Sequence, residues 1–198
     1  MTYNVFGGTL NPAQSIQSIK LDITCNTKKT VCMIFKPKSR DRMITEKFPP
    51  FTLNGCSLSF VQQFKYLGHI VSNTLNDDED IKREIRNLFM RTNMLISRYC
   101  KCSTNVKLTL FRSYYMSLYD IGIWKHFTVT ALNKFRSCDN KCVKKFFGYS
   151  RYDSMSGVLL LLNLPSADTI VHNSHSLFVQ QCAMSCNSIV QWLEVIGV

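Results

Sequence analysis

The clearest periodic pattern in the chain starts at a run of four acidic residues, Asp77 to Asp80, which leads into apolar residues at helical spacing. Acidic side chains in a first turn face the positive end of the helix dipole and stabilise it. The pattern therefore predicts an amphipathic helix from this run to Tyr99. Its apolar face would hold Ile81, Ile85, Leu88, Phe89, Ile96 and Tyr99, and its basic face Lys82, Arg83, Arg86 and Arg91.

Further helical stripes follow. Ser103 is placed to cap a second helix through Leu108, Phe111, Tyr115 and Leu118, and Thr130 to cap a third that ends at Gly148. The core stripe of the third helix would be Leu132, Phe135, Cys142, Val143 and Phe146, with Lys134, Lys141, Lys144 and Lys145 largely away from it. Residues 158–164 and 176–193 predict two more helices, parted by Pro165.

The first part of the chain has strand patterns instead. Residues 30–35 predict a buried strand, and residues 51–53 and 56–61 predict a hairpin around Asn54-Gly55, the strongest short turn signal. Residues 64–71 predict a further strand broken by Gly68. We therefore expect an α+β fold, mostly α, in which a small antiparallel β-hairpin region precedes a helical bundle and a helical tail. Residues 1–24 have few apolar positions and predict a loose leader.

Charge adds a candidate partner. The chain of 198 residues has a formal net charge of +11, with +5 in residues 1–50, +1 in 51–100, +7 in 101–150 and −2 in the rest. Two basic blocks are typical of a surface that follows a phosphate backbone, although a solvated basic face would have the same composition.

The sequence also predicts a location. No apolar run approaches the roughly 20 residues of a spanning helix, and no secretory signal is visible. We expect an intracellular protein, nuclear or cytoplasmic, that is neither secreted nor membrane-bound. The nine cysteines are then free thiols, most of them buried.

Two groups of residues have the side-chain types of a metal site. Asp77 and Asp78 are adjacent acids, like the pair with which polymerases bind two metal ions. However, the acids continue into Glu79 and Asp80 and begin a helical pattern, so we favour the interpretation as a helix start. His172, His175, Cys182 and Cys186 have zinc-compatible spacing, yet two cysteines four apart on an apolar helix share a buried face without a metal. No metal site is predicted.

Two segments carry a resemblance to a family. The segment Cys25 to Phe35, with its N-x-x-K-T pattern, resembles the strand after the catalytic hairpin of non-LTR retrotransposon reverse transcriptases. Asn54-Gly55 to Leu58, followed by Phe64-Lys65-Tyr66-Leu67-Gly68-His69-Ile70, is similar to that family's primer grip. Later segments resemble its helical thumb and the tail beyond it: Asp80 to Ile85, Lys107 to Phe111, Leu118 to Trp124 and Ser154 to Asn173.

The resemblance implies roles for named residues. Lys29 would lie near the incoming nucleotide, and Phe64, Lys65, Tyr66, Leu67 and Gly68 would hold the 3′ end of the primer. Lys82, Arg83, Arg86, Lys134, Lys141, Lys144 and Lys145 would line the groove for an RNA–DNA or DNA duplex, bound weakly and with strong salt dependence. Without the resemblance, Lys29 is a surface lysine beside a strand, and Phe64 and Leu67 are better explained as core residues of a strand with a glycine bulge.

The sequence departs from the family where catalysis would occur. No aspartate pair on an apolar hairpin precedes Asn26, and Asp120 stands where many relatives have glycine. Because two-metal phosphoryl transfer needs metal ligands, we expect a fragment that does not polymerise DNA alone. We expect Mg²⁺ to be bound only by an intact polymerase. The fingers and palm of that polymerase are further expected partners of the chain.

The fragment would comprise a leader (1–24), palm-end strands and primer grip (25–73), thumb (74–150) and extension (151–198). The alternative is a helical protein-interaction module or a reused nucleic-acid-binding module.

Overall fold

The computed structural model describes residues 26–27, 29–35, 48–53, 55–118, 120–188 and 190. The chain forms two compact units, Met1–Asn76 and Asp77–Val198, which we describe separately. Strands occupy the described part of the first unit and helices the second, which confirms the predicted α+β, mostly α class. The predicted leader, residues 1–24, lies outside the described residues.

The first unit contains short strand pairs. Strand β2 (Thr52–Leu53) pairs antiparallel with β3 (Cys56–Ser57), which confirms the predicted hairpin around Gly55. Strand β1 (Val31–Cys32) is shorter than the predicted strand and pairs in parallel with β4 (Ser59–Phe60). The returning strand is therefore split, because its first half pairs with β2 and its second half with β1.

A second hairpin replaces the single strand predicted over residues 64–71. Strand β5 (Gln63–Tyr66) turns at Leu67 and Gly68 and pairs antiparallel with β6 (His69–Ser72). Leu67 and Gly68 have φ angles of 48° and 98°, and two successive left-handed residues reverse the chain in the sense that strand twist favours. Leu67 at the tip is 87% exposed, so its assignment to the core is wrong, whereas Phe64 is half-buried.

Five α-helices lie in the described part of the second unit: α1 (Asp78–Tyr99), α2 (Thr104–Leu110), α3 (Val129–Phe147), α4 (Met155–Leu162) and α5 (Ala167–Ala183). A π-helical turn (Phe111–Tyr115) continues α2, and a 3₁₀ turn (Ile121–Ile123) precedes α3. No helix among the described residues is long and apolar enough to cross a membrane.

The ends of the helices test the predicted caps. Helix α3 is capped by Thr128 rather than Thr130, since the Thr128 side chain accepts a hydrogen bond from the N–H of Ala131, and it ends at Gly148 as predicted. Helix α5 starts after the cap Ser166, well before the predicted start at residue 176. Ser103 occupies the cap position of α2, but its side chain accepts no capping hydrogen bond.

The core of the second unit forms where α1 packs against α3. Fully buried side chains include Ile81, Leu88, Leu95, Phe111, Tyr115 and Phe135. The apolar stripes are confirmed in large part, but Phe89 of the predicted α1 stripe is 40% exposed. The expectation that most cysteines are buried is wrong: of the eight described, all free thiols, only Cys138 and Cys142 are buried.

The 3₁₀ turn is fixed against α5 by close backbone contact. A Cβ atom added to the buried Gly122 would lie 2.8 Å from the carbonyl oxygen of Ser174 in α5. His175 Nδ1 lies 3.1 Å from the carbonyl oxygen of Gly122. A side chain at position 122 would therefore force the two segments apart.

Candidate nucleic-acid interface

The acidic start of α1 binds the segment that leads into α3. Asp77 Oδ2 accepts hydrogen bonds from the backbone N–H groups of Lys125 (2.9 Å) and His126 (2.8 Å). Asp78 accepts hydrogen bonds from the backbone N–H (2.8 Å) and the hydroxyl (3.0 Å) of Thr128. These carboxylates thus join the starts of two helices, and the helix-start interpretation of the acidic run is confirmed.

The third acid of this helix, Asp80, is buried in an ion network. It accepts hydrogen bonds from Arg83 Nε (2.6 Å) and Trp124 Nε1 (2.9 Å). Arg83 also donates to Asp120 Oδ2 (3.0 Å) and pairs with Glu84 (3.2 Å). Burial opposes the charge of Arg83, but the hydrogen bond to Asp80 and the three surrounding carboxylates outweigh it and raise the pKa of its guanidinium.

This network removes two arginines from the predicted basic face of α1. The Arg83 side chain is only 13% exposed. Arg91 pairs with Glu84 (3.1 Å) and donates to the carbonyl oxygen of Tyr115 (3.4 Å). Both guanidinium groups hold the second unit together, so the prediction that Arg83 and Arg91 share an open basic face with Lys82 and Arg86 is wrong.

Helices α1 and α3 run parallel, and they bring the remaining basic residues together. The two helices are bonded at their starts, and near their ends Lys145 Nζ donates to Asn93 Oδ1 (3.0 Å). Between these points the Cys138 thiol approaches the carbonyl oxygen of Ile85 (3.7 Å). Equivalent turns of the helices therefore lie side by side.

Exposed residues on one side of this pair form what we call the basic surface. On α1 they follow at steps of four, three and four residues, and on α3 at steps of seven and four, so each set shares one helix face. The hydrogen bond between Lys145 and Asn93 joins the two faces. The basic surface consists of Lys82, Arg86, Phe89 and Asn93 on α1 and Lys134, Lys141 and Lys145 on α3.

The basic surface carries little opposing charge. Lys82 forms an exposed ion pair with Glu79, and the only acid within α3, Asp139, is buried in the core. Lys144, predicted with the others, is directed elsewhere: its Nζ donates to the carbonyl oxygens of Arg151 (3.0 Å) and Asp153 (2.6 Å) and so fixes the turn after α3.

A buried polar cluster lies inside the helical unit. The Tyr115 hydroxyl donates to Asp139 Oδ1 (2.9 Å), and the sulfur atoms of Cys138 and Cys142 are 3.9 Å apart. Burial raises the pKa of Asp139 to about 6, although the hydrogen bond from Tyr115 opposes the shift. Burial also raises the pKa of Tyr115 far above its usual value. The hydrogen bond with Cys142, together with burial, raises the pKa of Cys138.

The remaining predicted residues lie in the first unit. Lys29 is exposed in a turn where its N–H and that of Thr30 both donate to the carbonyl oxygen of Asn26 (3.0 and 3.1 Å). Lys65 is exposed, and Tyr66, 49% exposed, stands beside Leu67 and Gly68 at the tip of the second hairpin. The hairpin thus presents polar and apolar side chains together at one end.

Potential metal ligands are not gathered by the fold. Among the described residues, no group of three or more His, Cys, Asp or Glu side chains is arranged to hold a metal ion. This applies to His172, His175, Cys182 and Cys186.

Comparison of the chain with protein-family models, curated proteins and solved structures finds no match. The resemblance to reverse transcriptases accordingly rests on the sequence motifs. Sequence reasoning missed Phe89 and Asn93 as members of the basic surface, although their spacing from Lys82 and Arg86 was visible. It also missed Trp124 in the ion network, for which the sequence offers no local signal.

Proposed function

We propose that this chain is the palm-end and thumb part of a non-LTR retrotransposon reverse transcriptase, and that its helical unit binds an RNA–DNA or DNA duplex through the basic surface. The observation that carries the binding proposal is that the hydrogen bond between Lys145 and Asn93 joins two basic helix faces into one surface. Little negative charge opposes this surface, because the one acid of α3, Asp139, is buried in the core. A nucleic-acid partner accords with an intracellular location, nuclear or cytoplasmic.

The dimensions of the surface suit a duplex backbone. From Lys82 to Asn93 the helix rises about 16 Å, which is the length of about five base pairs. Five cations lie on the surface, and such contacts fix a protein on a duplex without reading its sequence. Binding through them is therefore insensitive to base sequence.

Polymerisation is not proposed for the chain alone. Its only run of adjacent acids is Asp77 to Asp80, and three of these carboxylates accept hydrogen bonds from N–H groups within the helical unit. These contacts engage both oxygens of Asp78 and Asp80 and one oxygen of Asp77, so they support a structural role for the run rather than a metal pair. Mg²⁺ and the remaining polymerase parts would come from an intact enzyme.

Neutralising substitutions test the binding proposal. Arg86→Gln combined with Lys134→Gln and Lys141→Gln removes three charges from the basic surface, and we expect weaker binding to two blunt RNA–DNA hybrids of unrelated sequence, by the same factor for each. Fluorescence anisotropy measures both affinities. The matched control replaces Arg98, Lys101 and Arg151, which are exposed outside the basic surface. Equal losses in the two triple variants would refute a defined interface.

Sequencing of the full-length transcript tests the polymerase part of the proposal. We expect an open frame upstream of Asn26 that encodes an aspartate pair on an apolar hairpin. A transcript whose frame starts at Met1 would contradict an active parent enzyme and leave only a binding fragment.

A second candidate, a helical protein-interaction module, is favoured by exposed apolar residues on α4 and α5. Leu160 and Leu161 are 83% and 77% exposed, and Leu177 is 57% exposed. Large apolar side chains exposed in this number are typical of a surface that a protein partner covers. If this function holds, the triple glutamine variant of the basic surface still binds the protein partner. Leu160→Ser combined with Leu161→Ser abolishes association with that partner in sedimentation experiments.

A further inference from the structure

An aromatic ring lies within the basic surface. Phe89 is 40% exposed, although it belongs to the apolar pattern of α1. It follows Arg86 by one turn and precedes Asn93 by another, so a cation and an amide flank it on the same helix face. The ring is therefore exposed at a place where the proposed partner would pass.

The chemistry of the ring favours one form of nucleic acid. In a blunt duplex the faces of the internal bases are covered by neighbouring base pairs, and only backbone and groove edges meet the protein. An exposed aromatic side chain gains stacking energy from an unpaired base instead, while nearby cations hold the backbone. Phe89 has nothing comparable to gain from a paired stem.

We infer that Phe89 is a stacking platform for an unpaired base, so that the basic surface prefers a duplex with a single-stranded arm to a blunt duplex. This inference rests on the proposed function and specifies the form of nucleic acid bound. Phe89 would supply the preference, and Lys82, Arg86 and the lysines of α3 would supply the electrostatic attraction.

The test uses the full chain and two RNA–DNA hybrids that differ only in a short DNA overhang. One overhang carries bases, and the other carries abasic residues, so both have the same phosphates. We expect the wild-type chain to bind the overhang with bases about fivefold more tightly or better, the gain of one stacked base. Fluorescence anisotropy at one salt concentration measures the ratio.

Four variants separate stacking from structure. Phe89→Ala and Phe89→Leu should lower the ratio to about one, and Phe89→Trp should keep it at the wild-type value or above. Leucine keeps apolar volume without a flat ring, so it controls for packing. Met90→Ala, at a neighbouring position 62% exposed, should leave the ratio unchanged.

Each result decides between the two proposals. A wild-type ratio near one, or a ratio preserved in Phe89→Leu, overturns the role of Phe89 while salt-dependent binding of the blunt hybrid leaves the proposed function intact. An equal loss in Met90→Ala also overturns it. Failure of the wild-type chain to bind any of these hybrids overturns both proposals.

Discussion

Asp139 makes the stability of the helical unit depend on pH in an unusual direction. Its carboxyl group is buried, and burial raises its pKa from 3.8 to about 6. Because the folded chain binds this proton more tightly than the unfolded chain, the group contributes stability that grows as pH falls through about 6 and is complete below about 4. The difference between the two pKa values corresponds to about 3 kcal/mol.

The substitution Asp139→Asn isolates this contribution. Asparagine does not ionise and keeps an oxygen that accepts the hydrogen bond from Tyr115. The free energy of unfolding of the variant minus that of the wild-type chain should therefore rise by about 3 kcal/mol from about pH 4 to about pH 8. The rise comes from the wild-type chain, which loses stability as Asp139 ionises. Urea unfolding followed by circular dichroism across this range measures the difference.

The control for this experiment is Asp168→Asn. The Asp168 side chain is 55% exposed and pairs with Arg136 at the surface, and exposed pairs contribute little. Its effect on the free energy of unfolding should stay nearly constant over the same pH range. A difference between wild type and Asp139→Asn that is flat with pH would refute the assignment of a buried, proton-binding carboxyl group.

Other substitutions test packing and the ion network. Gly122→Ala places a methyl group against a backbone carbonyl of α5 and should lower the free energy of unfolding by about 1–3 kcal/mol in urea titrations, whereas Gly157→Ala, with its nearest neighbour 3.8 Å away, should not. Asp80→Asn removes one of the three carboxylates around Arg83 and weakens its charged hydrogen bond, so it should cost about 1.5–3 kcal/mol by the same measurement. Glu79→Gln, which breaks an exposed ion pair, should change stability by less than about 1 kcal/mol; equal effects in the two acidic variants would contradict the network.

Local signals predicted much of the helical unit. The acidic run placed the start of α1, and Gly148, with a φ angle of 82°, placed the end of α3 because a left-handed terminal residue favours glycine. The start of α3 was misplaced by two residues because Thr128 and Thr130 are both good caps. Which threonine caps α3 depends on Asp78, which lies fifty residues earlier and binds Thr128. The sequence around the two threonines does not reveal that contact.

The misassigned site residues also depend on distant contacts. Spacing put Arg83 on the same face as other basic residues, but a carboxylate 37 positions away, on Asp120, helps to hold it inside. The turn at Leu67 was missed because leucine rarely adopts a left-handed conformation and gives no turn signal. Sequence therefore predicted which charges exist, while tertiary contacts determined which of them remain at the surface.

The salt dependence of duplex binding tests the basic surface most directly. Because Lys82 is paired with Glu79, about four of the five cations of the basic surface are available to phosphates. The logarithm of the association constant for a blunt RNA–DNA hybrid should therefore fall with the logarithm of salt concentration at a slope of about −4. Neutralising Arg86, Lys134 and Lys141 together should bring the slope to between about −1 and −2. A slope near zero in the wild-type chain, or a slope unchanged by these three substitutions, would contradict binding through this surface.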